Sequence, residues 1–183
     1  IDVEKVHVCR SKIALHLPND TMRVSASLRE ATLDAADINL GNAAYGIGNI
    51  SIIADSLSYD IPSADSVVGL DVNHLSFKNV ELKLDKLYFN QGSSALYAQL
   101  RRLAFEEKSG FRLDNLSVNF SLDSTCFAAT GLDFQTQHSS ATGNINLDLD
   151  ALSKGKRGNL EAELQASLGS KDILCLAAAY LPK

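Results

Sequence analysis

The chain has 183 residues, 45% of them hydrophobic and 21% charged, with a formal net charge of −5. That length and balance suit one domain with a core and exclude a chain disordered by composition. The acidic balance, with no long basic stripe, argues against nucleic acid as a partner, and three prolines with 7% aromatics argue against a proline-rich or aromatic recognition segment.

The chain opens at Ile1 with no initiator methionine, basic n-region or apolar h-region. A fragment of a longer protein is the expectation, with any signal or anchor elsewhere. The longest apolar run, Ile173 to Leu181, is too short for a bilayer, which takes about 20 residues. Cys9, Cys126 and Cys175 are odd in number and far apart, with no C-x-x-C. They read as three small buried hydrophobes. An oxidising compartment would allow one disulfide among them, with nothing local to choose the pair.

Ile13–Leu17 alternates apolar and polar residues and predicts a strand. Pro18-Asn19-Asp20 predicts a turn, and Met22 to Leu28 a second strand, giving a hairpin. Ala31–Ala36 favours helix by propensity, whereas Ile38–Leu40 and Ile50–Ile52 favour strand. Gly46-Ile47-Gly48 resembles the start of a dinucleotide loop, but Ser51 stands where a third glycine is needed and no helix is expected to follow. Pro62 ends a strand.

From Gly69 to Asp150 alternation is densest. Val80 to Leu84 alternates cleanly, then Asp85-Lys86 shifts the phase before Leu87. A slip of one residue turns every side chain to the other face, so each phase shift must be a turn or a bulge. Gln91–Ser94 and Lys108–Gly110 are turns, and Leu116–Leu122 is the longest one-faced strand. Ile145, Leu147 and Leu149 repeat the pattern opposite Asn144, Asn146, Asp148 and Asp150. Lys154–Gly158 is a basic loop. Leu160–Leu168 mixes helix-forming composition with unbroken alternation, and the alternation decides for strand. Lys171–Leu181 predicts a short helix stopped by Pro182. No linker or composition shift divides the chain, so one domain over residues 1–183 is expected.

A short phrase, Leu-x-aromatic, runs through this pattern. It returns as Leu57-Ser58-Tyr59, Leu75-Ser76-Phe77, Leu87-Tyr88-Phe89, Leu103-Ala104-Phe105 and Leu132-Asp133-Phe134, with Leu116-Ser117-Val118 as an aliphatic copy. A period of two puts the first and third residues on one strand face. Repetition at uneven steps predicts one strand-turn unit stacked many times, each unable to bury its apolar face alone.

Chemistry finds little support. His7, His16, His74 and His138 lie in separate segments, none at metal-ligand spacing, and no G-x-S-x-G is present. They read as surface or strand-face residues, so no enzyme activity, metal or cofactor is expected. The Asn144/Asn146/Asp148/Asp150 row lacks the glycine and terminal glutamate of a calcium loop. Four sequons, at Asn19, Asn49, Asn115 and Asn119, carry little weight on wet strand faces. Arg101-Arg102 and the Lys154–Arg157 loop read as solvated charge, with anionic headgroups as the functional alternative.

Asp55–Tyr59, Gly69–Phe77 and His138–Leu147 resemble the repeated strands of TamB/AsmA-like proteins, as does the ending, a strand to Leu168 followed by Lys171-Asp172-Ile173-Leu174 and a short helix closing on Leu181-Pro182. The resemblance rests on alternation over most of the chain, not on catalytic residues. It implies an all-β, elongated, mostly antiparallel, strongly curved open sheet, the β-taco or repeating β-groove, with a short C-terminal helix. It further implies a periplasmic fragment of an envelope protein anchored in the inner membrane, with phospholipid acyl chains as ligand and an outer-membrane barrel partner reached through other parts of the protein. The uneven spacing departs from a strict repeat, and neither an anchor nor the family's C-terminal signature domain lies within these residues.

On that reading Leu57, Tyr59, Leu75, Phe77, Leu87, Phe89, Leu103, Phe105, Leu116, Val118, Leu132 and Phe134 line a lipid-binding groove. About 12 strands at about 4.8 Å would give roughly 55–60 Å of it. Two alternatives stand beside it. One is a scaffold or chaperone surface for outer-membrane protein biogenesis by strand pairing; the other is a closed β-sandwich structural module. An open sheet also predicts end-to-end self-association through its edges, near residues 1–28 and 160–168.

Overall fold

The alternating runs become ten strands and one helix among the described residues. These are β1 (Asp2–His16), β2 (Arg23–Asn39), β3 (Ala44–Ile47), β4 (Ile50–Asp60), β5 (His74–Asn90), β6 (Ala95–Glu107), β7 (Arg112–Leu122), β8 (Cys126–Thr136), β9 (Ser140–Asp148), β10 (Leu160–Ser167) and α1 (Ser170–Ala177). The computed structural model describes residues 2–17, 21–149 and 157–178. The turn expected at Pro18–Asp20, most of the basic loop at Lys154 and the stop at Pro182 lie outside them.

Every pairing is antiparallel and follows chain order. β3 and β4 lie end to end in one rank between β2 and β5, split at Gly48-Asn49. The sheet is therefore nine ranks wide, about 43 Å at about 4.8 Å per rank. That is shorter than twelve strands would make it, because each long alternating run stays one strand across its phase shifts. β1 and β10 each pair on one side only. The sheet is open, which excludes a closed sandwich.

Ala31–Ala36 is strand, not helix, as its propensity had suggested. The segment pairs with β1 on one side and with β3 and β4 on the other. Hydrogen bonding along both edges outweighs a helix propensity of a few tenths of a kcal/mol per residue.

The phase shifts fall on two lines that cross the strands. One runs through Arg10, Arg29, Asp55, Asn79, Ala104-Phe105 and Asp114. The other runs through Ala35, Asn49, Asp85, Arg101, Val118 and Gly131. Arg10, Ala35 and Asn79 have φ of 47°, 56° and 51°, and Gly131 has 63°. Bulges bend strands. On the first line the extra residue is mostly polar and lies beside another polar residue, as in Arg29-Glu30, Asp55-Ser56 and Asp114-Asn115, and on the second Asn49, Asp85 and Arg101 are polar. The polar side thereby carries more residues than the apolar side, which makes it the outer side of the curve. The sheet is creased twice into a trough, and β9–β10 keeps an unshifted, uninterrupted ladder over all of β10.

The described structure has almost no closed core. Its buried apolar residues are Ala36, Ala54, Val80, Phe111 and Leu113. The accessible surface is 11848 Å², against roughly 8,600 Å² for a compact chain of this size. A second layer would have removed that excess, so the large apolar residues remain half-exposed because no described element is stacked on them.

Candidate functional site: an apolar trough with unequal rims

Cross-strand partners share a face, so register fixes the lining. Val8, Ala31, Ile52, Leu82, Leu103, Leu116, Phe134, Ala141 and Ala166 make one apolar row from β1 to β10. A parallel row passes through Leu87, Ala98, Phe120, Ala129 and Ile145. Leu57 pairs with Phe77 and Tyr59 with Leu75. The ring of Phe105 meets Phe77 edge-on, centroids 4.8 Å apart, which places both on this face. Phe89 stacks beside Tyr45 at 6.2 Å. Val118 faces Leu100, and Leu132 follows the bulge at Gly131 into phase with Phe134.

All the residues expected to line a groove thus lie on one side of the sheet: Leu57, Tyr59, Leu75, Phe77, Leu87, Phe89, Leu103, Phe105, Leu116, Val118, Leu132 and Phe134. The Leu-x-aromatic phrase missed an equal share of that side, including Ile52, Leu82, Leu84, Leu100 and Ile145. These sit in alternating runs where no aromatic follows two residues on. Plain alternation around Val80–Leu84 was the signal that marks them.

One rim of the trough is closed. It gathers residues 61–73, the turn at 108–111, the turn at 137–139 and α1. Asp71 accepts from the N–H groups of Val67 and Asn73 at 3.0 and 3.1 Å and lies 2.9 Å from Nδ1 of His74. Burial works to raise its pKa, but these hydrogen bonds and the His74 charge outweigh it and hold the carboxyl below its ordinary value. Glu107 accepts from Ser76 and Ser109 N–H groups. Asp172 accepts from Ser139 Oγ at 2.6 Å and from Thr136 Oγ1. Burial again opposes and the hydroxyls prevail, so this carboxyl too lies below its ordinary range.

α1 ties three turns together. Asp172 grips the β8–β9 turn. The Cys175 thiol donates to Ser109 Oγ at 3.2 Å, and the Cys175 carbonyl accepts from Leu70 N–H at 3.0 Å. Gly69, with φ +87°, lets the chain pass: a Cβ there would lie 2.5 Å from the Cys175 carbonyl oxygen.

The opposite rim is open. It consists of the turns at 40–43, 91–94 and 123–125, and its edge leaves Leu40, Tyr88, Phe89 and Tyr97 exposed.

The outer side is charged and internally paired. Arg29 meets Asp55, Arg101 meets Asp85, and Arg112 meets Asp114, all at creases. Arg102 reaches Glu81 at 2.7 Å and Lys83 reaches it at 2.8 Å. The Lys83 and Arg102 hydrogen bonds hold the Glu81 carboxyl below its usual value, and the Asp85 hydrogen bond raises Arg101. Arg101 and Arg102 therefore neutralise carboxylates away from the trough, and headgroup contact through them is set aside. Shallow depressions follow the creases on this side, one of them lined by Gln99, Arg101, Asn119 and Gly131.

The cysteines differ from the buried set expected. Cys9 is exposed; Cys126 and Cys175 are half-buried, and all three are free thiols. Hydrogen-bonding partners on strand faces and in a turn (His7, Asn146, Ser109) hold them nearer the surface than apolar packing would. His7 touches Glu30 and Cys9, each at 3.1 Å from the same Nε2. One nitrogen serving both leaves no relay from carboxylate through imidazole to thiol.

No family model and no curated protein matches this sequence.

Proposed function

We propose that this chain is a lipid-binding segment of a groove that carries phospholipid through the cell envelope, built like the TamB/AsmA-like proteins its strands resemble. One observation carries the reading: an apolar side continuous from β1 to β10 on which, among the described residues, no second layer is stacked. An apolar surface of that extent normally serves binding. Acyl chains would lie on Leu82, Leu103, Phe105 and Leu116, with headgroups at the open rim. Each methylene kept from water contributes about 0.8 kcal/mol, so partial shielding of two chains offsets much of the cost of leaving a bilayer. Rows of similar side chains without an enclosed pocket favour sliding over storage.

The periplasmic location, the inner-membrane anchor and the outer-membrane barrel partner belong to the same reading, through the resemblance. Among the described residues no helix is long and apolar enough to cross a membrane.

Native mass spectrometry of the purified chain, with uptake of a fluorescent phospholipid, tests the proposal. Co-purifying phospholipid is expected. Leu116→Asp and Phe105→Glu should reduce uptake sharply, since an unpaired carboxylate would sit on the acyl path. Ser117→Asp, on the other side, should leave it near wild type. Equal losses from all three in folded protein, or no lipid bound at all, would overturn it.

A further inference from the structure

The two edges of the sheet are built differently. β1 carries Lys5, Arg10 and Lys12, and Arg10 kinks it with a positive φ. Charge and a kink are standard means of blunting a sheet edge. β10 has neither. It runs Leu160–Ser167 with no proline, no cation and no register shift, and every residue is exposed.

Backbone phase shows what this edge offers. Asp148 N–H donates to the Asn159 carbonyl at 2.9 Å. In an antiparallel ladder the backbone groups of alternate residues point to alternate sides. The odd-numbered residues of β10 therefore turn their backbone to β9. The even-numbered ones, Leu160, Ala162, Leu164 and Ala166, turn N–H and C=O outward, while their side chains continue the apolar rows.

We propose that this edge docks a second copy of the chain, β10 against β10 and antiparallel, about a twofold axis through Leu164. The side-chain order selects that occupant and that register. With Leu164 on the axis, each Leu164 faces its counterpart, Ala162 faces Ala166, Glu163 faces Gln165, Glu161 faces Ser167 and Leu160 faces Leu168. No like charges stand directly opposite one another. An axis through Ala162 would set Glu161 against Glu163, and an axis through Glu163 would set that carboxylate against itself. Like charges directly opposite destabilise a strand pair. An axis through Gln165 avoids the clash but shortens the overlap. The axis stands normal to the sheet, so both apolar sides face the same way and the troughs join. The closed rim of one copy then continues as the open rim of the other. The inference stands on strand geometry and holds whether or not the trough carries lipid.

The test is sedimentation velocity of the reduced chain from low micromolar to near-millimolar concentration. A dimer is expected for the wild type. Ala162→Pro removes an outward N–H and no bond to β9, so it should abolish the dimer with the circular dichroism spectrum unchanged. Gln165→Lys places an ion pair at two symmetric positions and should tighten the dimer about threefold to tenfold; Gln165→Glu should weaken it by a similar factor. Gln165 is exposed, so neither change threatens folding. A monomer at every concentration would overturn the proposal, as would a dimer indifferent to Gln165. A monomer that instead captures a synthetic extended peptide at β10 would assign the edge to a foreign strand and equally reject the second copy.

Discussion

The two rims of the trough end the same strands by opposite means. At the closed rim the turns are held by buried polar groups: Asp71, Glu107, Ser139 and Asp172 are all there, with Phe111 and Leu113 beneath them. At the open rim the turns are short and exposed, and Phe89 is 40% accessible. A single-layer sheet cannot stabilise itself by core packing alone, so the closed rim supplies a local substitute made of satisfied carboxylates and a helix. The open rim carries no helix among the described residues.

The largest effect should come from emptying the closed rim. Phe111 is 7% exposed and its ring lies 6.3 Å from Phe105. Phe111→Ala is expected to lose about 3–4 kcal/mol in urea denaturation, as buried phenylalanines do. A loss as small as that of an exposed ring would show that this rim is no more packed than the other.

Removing the anchor of α1 should follow. Asp172→Ala strands the Ser139 hydroxyl donor and leaves Thr136 Oγ1 only the Ser139 carbonyl as acceptor, and should cost about 2–3 kcal/mol. Amide exchange within α1 should accelerate while the β1–β2 ladder keeps its protection. Asp172→Asn, which retains an acceptor, should recover part of the loss.

Acid offers a reversible version of the same break. Asp71 and Asp172 both lie below the ordinary carboxylate pKa in the folded chain. A depressed folded pKa contributes stability that is present above the unfolded value, about 3.9, and is lost as pH falls through the folded value. Hydrogen exchange followed downward from about pH 5 should therefore show α1 and residues 61–73 loosening below about pH 4. The turns at 40–43 and 91–94 contain no carboxylate and should hold their rates. Asp123, held below its ordinary value by the Thr125 and Cys126 hydrogen bonds, should let the 123–125 turn loosen with acid as well. Simultaneous opening of the 40–43 and 91–94 turns is therefore the result that would deny the closed rim its separate stabilisation.

The smallest effect belongs to the open rim. Phe89→Ala removes a half-exposed ring stacked on Tyr45 and should lose no more than about 1 kcal/mol. Its effect on uptake of fluorescent phospholipid should exceed its effect on stability, which sharpens the contrast with Phe111.

Alternation made the sheet legible because a strand's period of two is local. Ile13–Leu17, Val80–Leu84 and Leu160–Leu168 each declare a face without help from the rest of the chain. The phase shift at Asp85-Lys86 was legible for the same reason. What no single shift shows is that Asp55, Asn79 and Asp114 line up across neighbouring strands into one crease. That alignment depends on register between segments far apart in sequence. The Ala31–Ala36 segment misleads for a related reason, since its propensity is weak and its strand partners are distant.

The sequence by itself thus determined that this protein is all-β, which residues share a side, and that the side they share is apolar over most of its length. Only the tertiary structure decided that the side stays uncovered, that nine ranks and not twelve carry it, and that α1 closes one rim while leaving the other open. Side-chain period follows from backbone geometry within a few residues. Curvature follows from bulges that align across strands, and rim closure from hydrogen bonds such as Ser139 to Asp172 and Leu70 to Cys175, whose partners meet only after the chain has folded.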